Sequence, residues 1–295
     1  MMTTGTIKPQ GGKALRVLRY PLVLAVLEFV LIVVLATLAN SIVHRTLYAK
    51  GTPLDTLGAL AVAVATMGSY MLCRQAIEGY RGEHEFAAGA SLKELFGGIL
   101  LGFGLFALAA GLVALAGSFA ITGTRWPGEL WAMLGMAIVS GVTEEVLFRG
   151  VLFRHLETLI GSWGALAITS AFFGLAHLAN PHSSAFAALA IALEAGVMLG
   201  AAYMLTRRLW LPIGIHAAWN FTQGWVFSVP VSGSKPPLGL FVSRLNGPDW
   251  LTGGAFGLEA SVVALAVATL TGVILLRLAM RRGQLVAPVW VRKLG

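Results

Sequence analysis

Charge is the scarcest property of this chain: aspartate, glutamate, lysine and arginine together make up 12% of its 295 residues, about half the share of an ordinary soluble protein. With 57% of residues hydrophobic, that scarcity excludes a water-soluble domain as an account of the whole chain and points to a membrane protein. There is one cysteine, Cys73, which excludes an internal disulfide and any cysteine-based zinc cluster. No His-Glu-x-x-His pattern occurs, no serine or cysteine stands in a nucleophile motif, and no internal repeat is visible. The net charge is +8, yet the basic residues sit at the ends of apolar runs and not in one patch, so nucleic acid is not an expected partner.

What is present is a series of apolar segments near residues 21–42, 54–73, 95–121, 130–148, 162–179, 185–205, 211–229 and 256–276, read as eight spans of the hydrocarbon core. The basic stretch before the first resembles a signal peptide. The run that follows is long enough to span and lacks a small-residue cleavage site, so an uncleaved first helix is expected. The 36 glycines suit helices that approach closely in lipid. If both termini share one side, that side carries Lys8, Lys13, Arg16, Arg19, Arg74, Arg81, Lys93, Arg149, Arg154, Arg207, Arg208 and the five basic residues of the C-terminal tail. The other side carries Arg45, Lys50, Arg125, Lys235 and Arg244. This asymmetry predicts cytoplasmic termini in a multi-pass protein of a cell membrane, the bacterial inner membrane.

The expected fold is therefore all-α, about eight transmembrane helices enclosing a polar cavity, with a cytoplasmic tail 1–20, a membrane domain 21–277 and a cytoplasmic tail 278–295. Residues 150–160 alternate apolar and charged positions at helical spacing, which predicts a short helix lying in the membrane interface. The stretch 230–254, rich in proline and glycine, reads as an irregular external loop.

Ionisable groups inside the spans are the informative residues, because a charged side chain near a bilayer centre costs at least ~2.5–3.5 kcal/mol and must find a partner or a use. They are Glu144, Glu145 and Arg149 in the fourth span, His177 in the fifth, Glu194 in the sixth, and His216 with Asn220 in the seventh; Glu28 in the first is left unexplained. Glu145 and Arg149, four apart, can pair, whereas Glu144 lies about 100° around the helix and faces elsewhere. His216 and Asn220 share one face by the same spacing, as do Phe173 and His177. Such groups turn inward toward one another or toward water. A carboxylate with a neutral imidazole can deprotonate a water, and a second histidine with an amide can donate to an oxyanion, an inventory suited to amide hydrolysis.

These three pairs, Glu144-Glu145-x-x-x-Arg149, Phe173-x-x-x-His177 and His216-x-x-x-Asn220, in this order on successive spans, resemble the motifs of the CPBP family, the CAAX proteases and bacteriocin-processing enzymes. The resemblance covers residues 130–228, including the Leu209-Trp210-Leu211-Pro212 lead-in. It implies an eight-helix bundle with a cavity open to the cytosol. It also implies that Glu144 and His177 activate water, that His216 and Asn220 stabilise the oxyanion, and that Glu145, Arg149 and Phe173 support them. Glu194 has no place in the three motifs and is read either as a supporting group at the site or as a partner for a polar group of a neighbouring helix. No cofactor is needed in that scheme. The alternative is a zinc site of Glu144, His177 and His216 with Glu145 as base. The implied partners are the bilayer and a peptide or lipid-modified protein substrate. A non-proteolytic binding or bacteriocin-immunity protein and a proton-coupled transporter are the rival classes. On the span boundaries above, His177 falls near the face opposite Glu144, so those boundaries are expected to shift by a turn or more and the helices to tilt.

Overall fold

The computed structural model describes residues 19–47, 51–80 and 85–292. The tail 1–20 lies outside these residues apart from Arg19 and Tyr20, as do Lys8, Lys13, Arg16, Lys50, Arg81 and Lys293 of the charge count.

The chain is almost wholly helical: α1 (Pro21–Thr46), α2 (Pro53–Leu72), α3 (Ser91–Leu115), α4 (Leu130–Glu145), α5 (Arg154–Ala176), α6 (Ala185–Ile191), α7 (Met198–Thr206), α8 (Trp210–Phe221) and α9 (Val262–Arg281). Several starts are written in the sequence. Proline opens α1 and α2, where its missing N–H costs nothing, and the side chains of Thr52, Ser184 and Ser261 cap α2, α6 and α9 by accepting from Leu54, Ala187 and Ala264 N–H. Wider π-type turns continue four helices, at Cys73–Ile77, Val146–Phe153, Ala192–Val197 and Thr222–Val226. Through them α4 runs into α5, and α6 into α7.

Six helical runs among the described residues are long and apolar enough to cross a membrane, so the protein is an all-α, polytopic membrane protein. The six stand where the sequence counts eight spans. The fourth and fifth are joined in one 50-residue run, Leu130–Ala179, broken at Gly161 (φ 73°). The seventh is α8, which is 12 residues long before its π turn.

The helical spacing expected over residues 150–160 is present, and its polar positions are turned toward other helices: His155 and Glu157 are buried. The reason is pairing, since Arg154 meets Glu78 at 2.7 Å and Glu28 at 3.0 Å, and Glu157 meets Arg207 at 2.6 Å. The third apolar stretch stops being helical at Leu115, and Gly117 (φ 76°) turns the chain into strand β1 (Phe119–Thr124). Its partner lies within 230–254, which is therefore not irregular throughout: β2 (Phe241–Leu245) pairs antiparallel with β1, Phe119 opposite Leu245 and Thr124 opposite Phe241. The last expected span begins at Val262 and not near 256, which leaves Glu259 in a turn before it.

Residues beyond α9 pack against the break in the long run. Ser162 N–H donates to the Val286 carbonyl at 2.9 Å, and Val286 N–H donates to Ser162 Oγ at 2.8 Å. A Cβ on Gly161 would stand 2.7 Å from Pro288 N.

Helix α8 is gripped on two sides at van der Waals limits. A Cβ added to Gly98 or Gly102 of α3 would stand 2.4 Å from the Leu211 carbonyl oxygen or 2.3 Å from that of Ile215, and one on Gly141 of α4 would stand 3.0 Å from Ala217 Cβ. Glycine is required where backbones touch in this way. Gly102→Val is expected to cost about 3 kcal/mol by overpacking. Gly104→Val, on the same helix with nothing within 4 Å of its would-be Cβ, is the control. Thermal unfolding in detergent reads the difference; equal melting of the two variants would contradict the packing account.

Candidate active site

The site begins where α4 passes into its π turn. Glu145 is fully buried, and its Oε1 receives two donors: Arg149 Nη1 at 2.7 Å and His216 Nδ1 at 2.9 Å. The expected i, i+4 pair of Glu145 and Arg149 is thus present. Arg149, itself 2% exposed, spends Nη2 on the carbonyls of Ala195 (3.0 Å) and Gly196 (3.2 Å), which lie in the π turn between α6 and α7. Its guanidinium carbon stands 4.9 Å from the Phe173 ring centre. One arginine therefore ties α4, α5, the α6–α7 turn and, through Glu145, α8.

Glu144 points away from that pair, as its angular offset predicts. Its side chain is 31% exposed, Oε2 lies 3.9 Å from His216 Nε2, and that oxygen has no hydrogen-bond partner. His216 accordingly has a carboxylate at each ring nitrogen. His177 follows the last residue of α5, and its Nδ1 lies 2.8 Å from the Phe173 carbonyl oxygen. A carbonyl only accepts, so Nδ1 carries the proton and the neutral ring leaves Nε2 as a bare lone pair. Phe173 packs against both histidines, with ring centres at 4.8 Å to His177 and 6.2 Å to His216. Asn220 sits one turn beyond His216 and donates from Nδ2 to Ser140 Oγ at 3.1 Å.

Phe173, His177, Glu194, His216, Asn220 and Glu259 line a single cavity of about 400 Å³ of empty space, its mouth included. Glu144 does not line it, and no hydrogen bond or ion pair joins Glu144 to His177; the carboxylate is tied to the group through His216. Glu194, in the π turn Ala192–Val197, is 2% exposed. Sequence reasoning missed Glu259. It comes from the turn Leu258–Ala260, outside the three motifs, and the apolar stretch around it hid one acidic residue. Burial pushes its carboxyl up to about 7, opposed by hydrogen bonds from Ser232 and Gln223.

The donor atoms of Glu144, His177 and His216 do not converge as a ligand set. Among the described residues the one trio whose ligating atoms lie within 4.8 Å of one another is Glu28, Glu78 and His155. There Arg154 Nη2 already bridges Glu28 and Glu78. Glu28, unexplained by sequence, belongs to that ionic cluster and not to the cavity.

Breaking a buried ion pair from one side strands a charge, at a cost of about 3–5 kcal/mol. Arg149→Leu and Glu145→Leu are each expected to lose that much stability, and the double variant clearly less than their sum. Thermal unfolding of the four proteins in detergent closes the cycle, and additive losses would deny the coupling.

The motif residues fall inside one recognisable segment. Residues 124–222 match the model of the family described as type II CAAX prenyl endopeptidase Rce1-like. No curated protein and no solved structure matches the chain. The matched segment, about a third of the chain, contains all three residue pairs and agrees with the CPBP resemblance.

Proposed function

We propose that this protein hydrolyses a peptide bond in a membrane-associated substrate, a prenylated CAAX-type protein or a plain membrane peptide. In this scheme Glu144 and His177 activate a water, and His216 and Asn220 donate to the oxyanion. The observation that carries it is the convergence of His177, His216 and Asn220 on one cavity, with Glu144 against the Nε2 edge of His216.

The chemistry follows from the protonation states those contacts support. His177, with its Nδ1 proton held by the Phe173 carbonyl, offers a lone pair to one hydrogen of a water. The half-exposed Glu144 takes the proton as the water oxygen bonds to the scissile carbonyl carbon. Negative charge then gathers on the former carbonyl oxygen. An imidazolium at His216, its charge compensated by Glu145 and Glu144, donates to it from Nε2, and the Asn220 amide donates the hydrogen not given to Ser140. Collapse of the intermediate breaks the C–N bond, and Glu144 returns its proton to the departing amine. Glu145, Arg149 and Phe173 position the two histidines and touch no reacting atom. The scheme uses no metal or other cofactor.

Purified wild type is expected to cleave a set of S-farnesylated and plain membrane peptides, followed by mass spectrometry with and without a chelator, while Glu144→Ala yields no product. His177→Ala is expected to lower kcat by about 10²–10⁴, and His216→Ala or Asn220→Ala by about 10²–10³. Equal product from wild type and Glu144→Ala would overturn the assignment. Loss of wild-type activity on chelation would overturn its metal-free form.

A further inference from the structure

The cavity is short of positive charge. Glu144, Glu145, Glu194 and Glu259 bring four carboxyls to the region, while no lysine or arginine among the described residues lines the cavity. Arg149 stands behind it and is fully engaged by Glu145 and by two carbonyls. Two of the carboxyls, Glu194 and Glu259, have no part in the hydrolytic scheme. Each is 2% exposed, and they reach the cavity from segments 65 positions apart in the sequence.

Both are held in place. Glu259 accepts from Ser232 N–H, and the turn that presents it requires Gly257 (φ 124°), where a Cβ would stand 2.2 Å from the Pro230 carbonyl oxygen. Glu194 Oε2 is buried, lines the cavity and has no hydrogen-bond partner. Leaving a buried carboxylate unpaired is costly, and a carboxyl aimed into an open space is complementary to a cation or a strong donor.

The size and spread of the site narrow the class of cation. The ligating atoms of Glu194, Glu259 and the histidines do not close to within 4.8 Å of one another, which is too loose for a metal shell. The cavity is small, about 400 Å³ of empty space with its mouth included. An ammonium is compact and carries three donors, whereas a guanidinium is a planar fork that needs more room.

We propose that Glu194 and Glu259 form a cation-accepting subsite that binds the ammonium of a lysine in the peptide segment entering the cavity, and so give the enzyme a preference for a lysine beside the bond it cuts. This rests on the endopeptidase reading of the same cavity. A free C-terminal carboxylate is the wrong charge for this wall.

The test uses full-length protein in detergent and a set of short S-farnesylated and plain membrane peptides in which one lysine, or norleucine in its place, is walked through the sequence. Binding is measured on Glu144→Gln, which is expected not to cleave, and kcat/KM on wild type. Lysine at one position is expected to improve both by tenfold or more over norleucine. Glu194→Gln and Glu259→Gln, each shown by thermal unfolding to be folded, are expected to bring that ratio toward one. Equal binding of the lysine and norleucine peptides at every position, or no binding of either, overturns the proposal without need of the variants. A preference retained in both glutamine variants overturns it too. A lysine preference in binding with no cleavage by wild type would sink the endopeptidase reading and leave the subsite standing.

Discussion

The centre of the molecule depends on one buried ion pair. Taking Glu145 and Arg149 out of water carries a desolvation penalty of several kcal/mol for each ion, repaid only if every remaining donor and acceptor is well placed. That requirement organises the bundle. Arg149 needs acceptors for its second amino group, and the π turn Ala192–Val197 supplies two carbonyls. Glu145 takes a second donor, and α8 brings His216 to it. The flat face of the guanidinium covers Phe173, whose carbonyl in turn fixes the tautomer of His177. The groups facing the cavity are therefore oriented by groups behind it, and a shift of one helix would be felt at every nitrogen in the site.

The sequence made the front of this arrangement legible and the back of it not. Helical spacing alone separated Glu145, which pairs with Arg149, from Glu144, which faces His216, and it put His216 and Asn220 on the face that lines the cavity. These are local relations, within two turns of helix, and periodicity encodes them. What it does not encode is contact between distant segments. Glu28 finds Arg154 across 126 positions, and β1 finds β2 across about as many. Glu259 was passed over because it sits in a turn just before an apolar helix, where hydropathy averages one acidic residue away. The alternation at 150–160 was real, but its charged positions face Glu28, Glu78 and Arg207 and not water, a choice that only the partners decide.

Two layers of polar groups thus lie in a chain poor in charge. One contains Arg154, Glu28, Glu78 and His155, with charges of opposite sign interleaved at ion-pair distance. The other is the cavity, lined by the carboxyls of Glu194 and Glu259 and by no lysine or arginine among the described residues, with Glu194 Oε2 left without a hydrogen-bond partner. The first layer ties helices to one another through paired charges, while the second leaves a buried acceptor at the edge of open space.

The two sides of that cavity come from different parts of the chain. His177, His216 and Asn220 lie within residues 124–222, whereas Ser232 and Glu259 belong to the turns that follow. On the reading proposed above, changes in those later turns would alter one wall of the cavity while the wall that carries His177, His216 and Asn220, and the Glu145–Arg149 pair behind it, stays as it is.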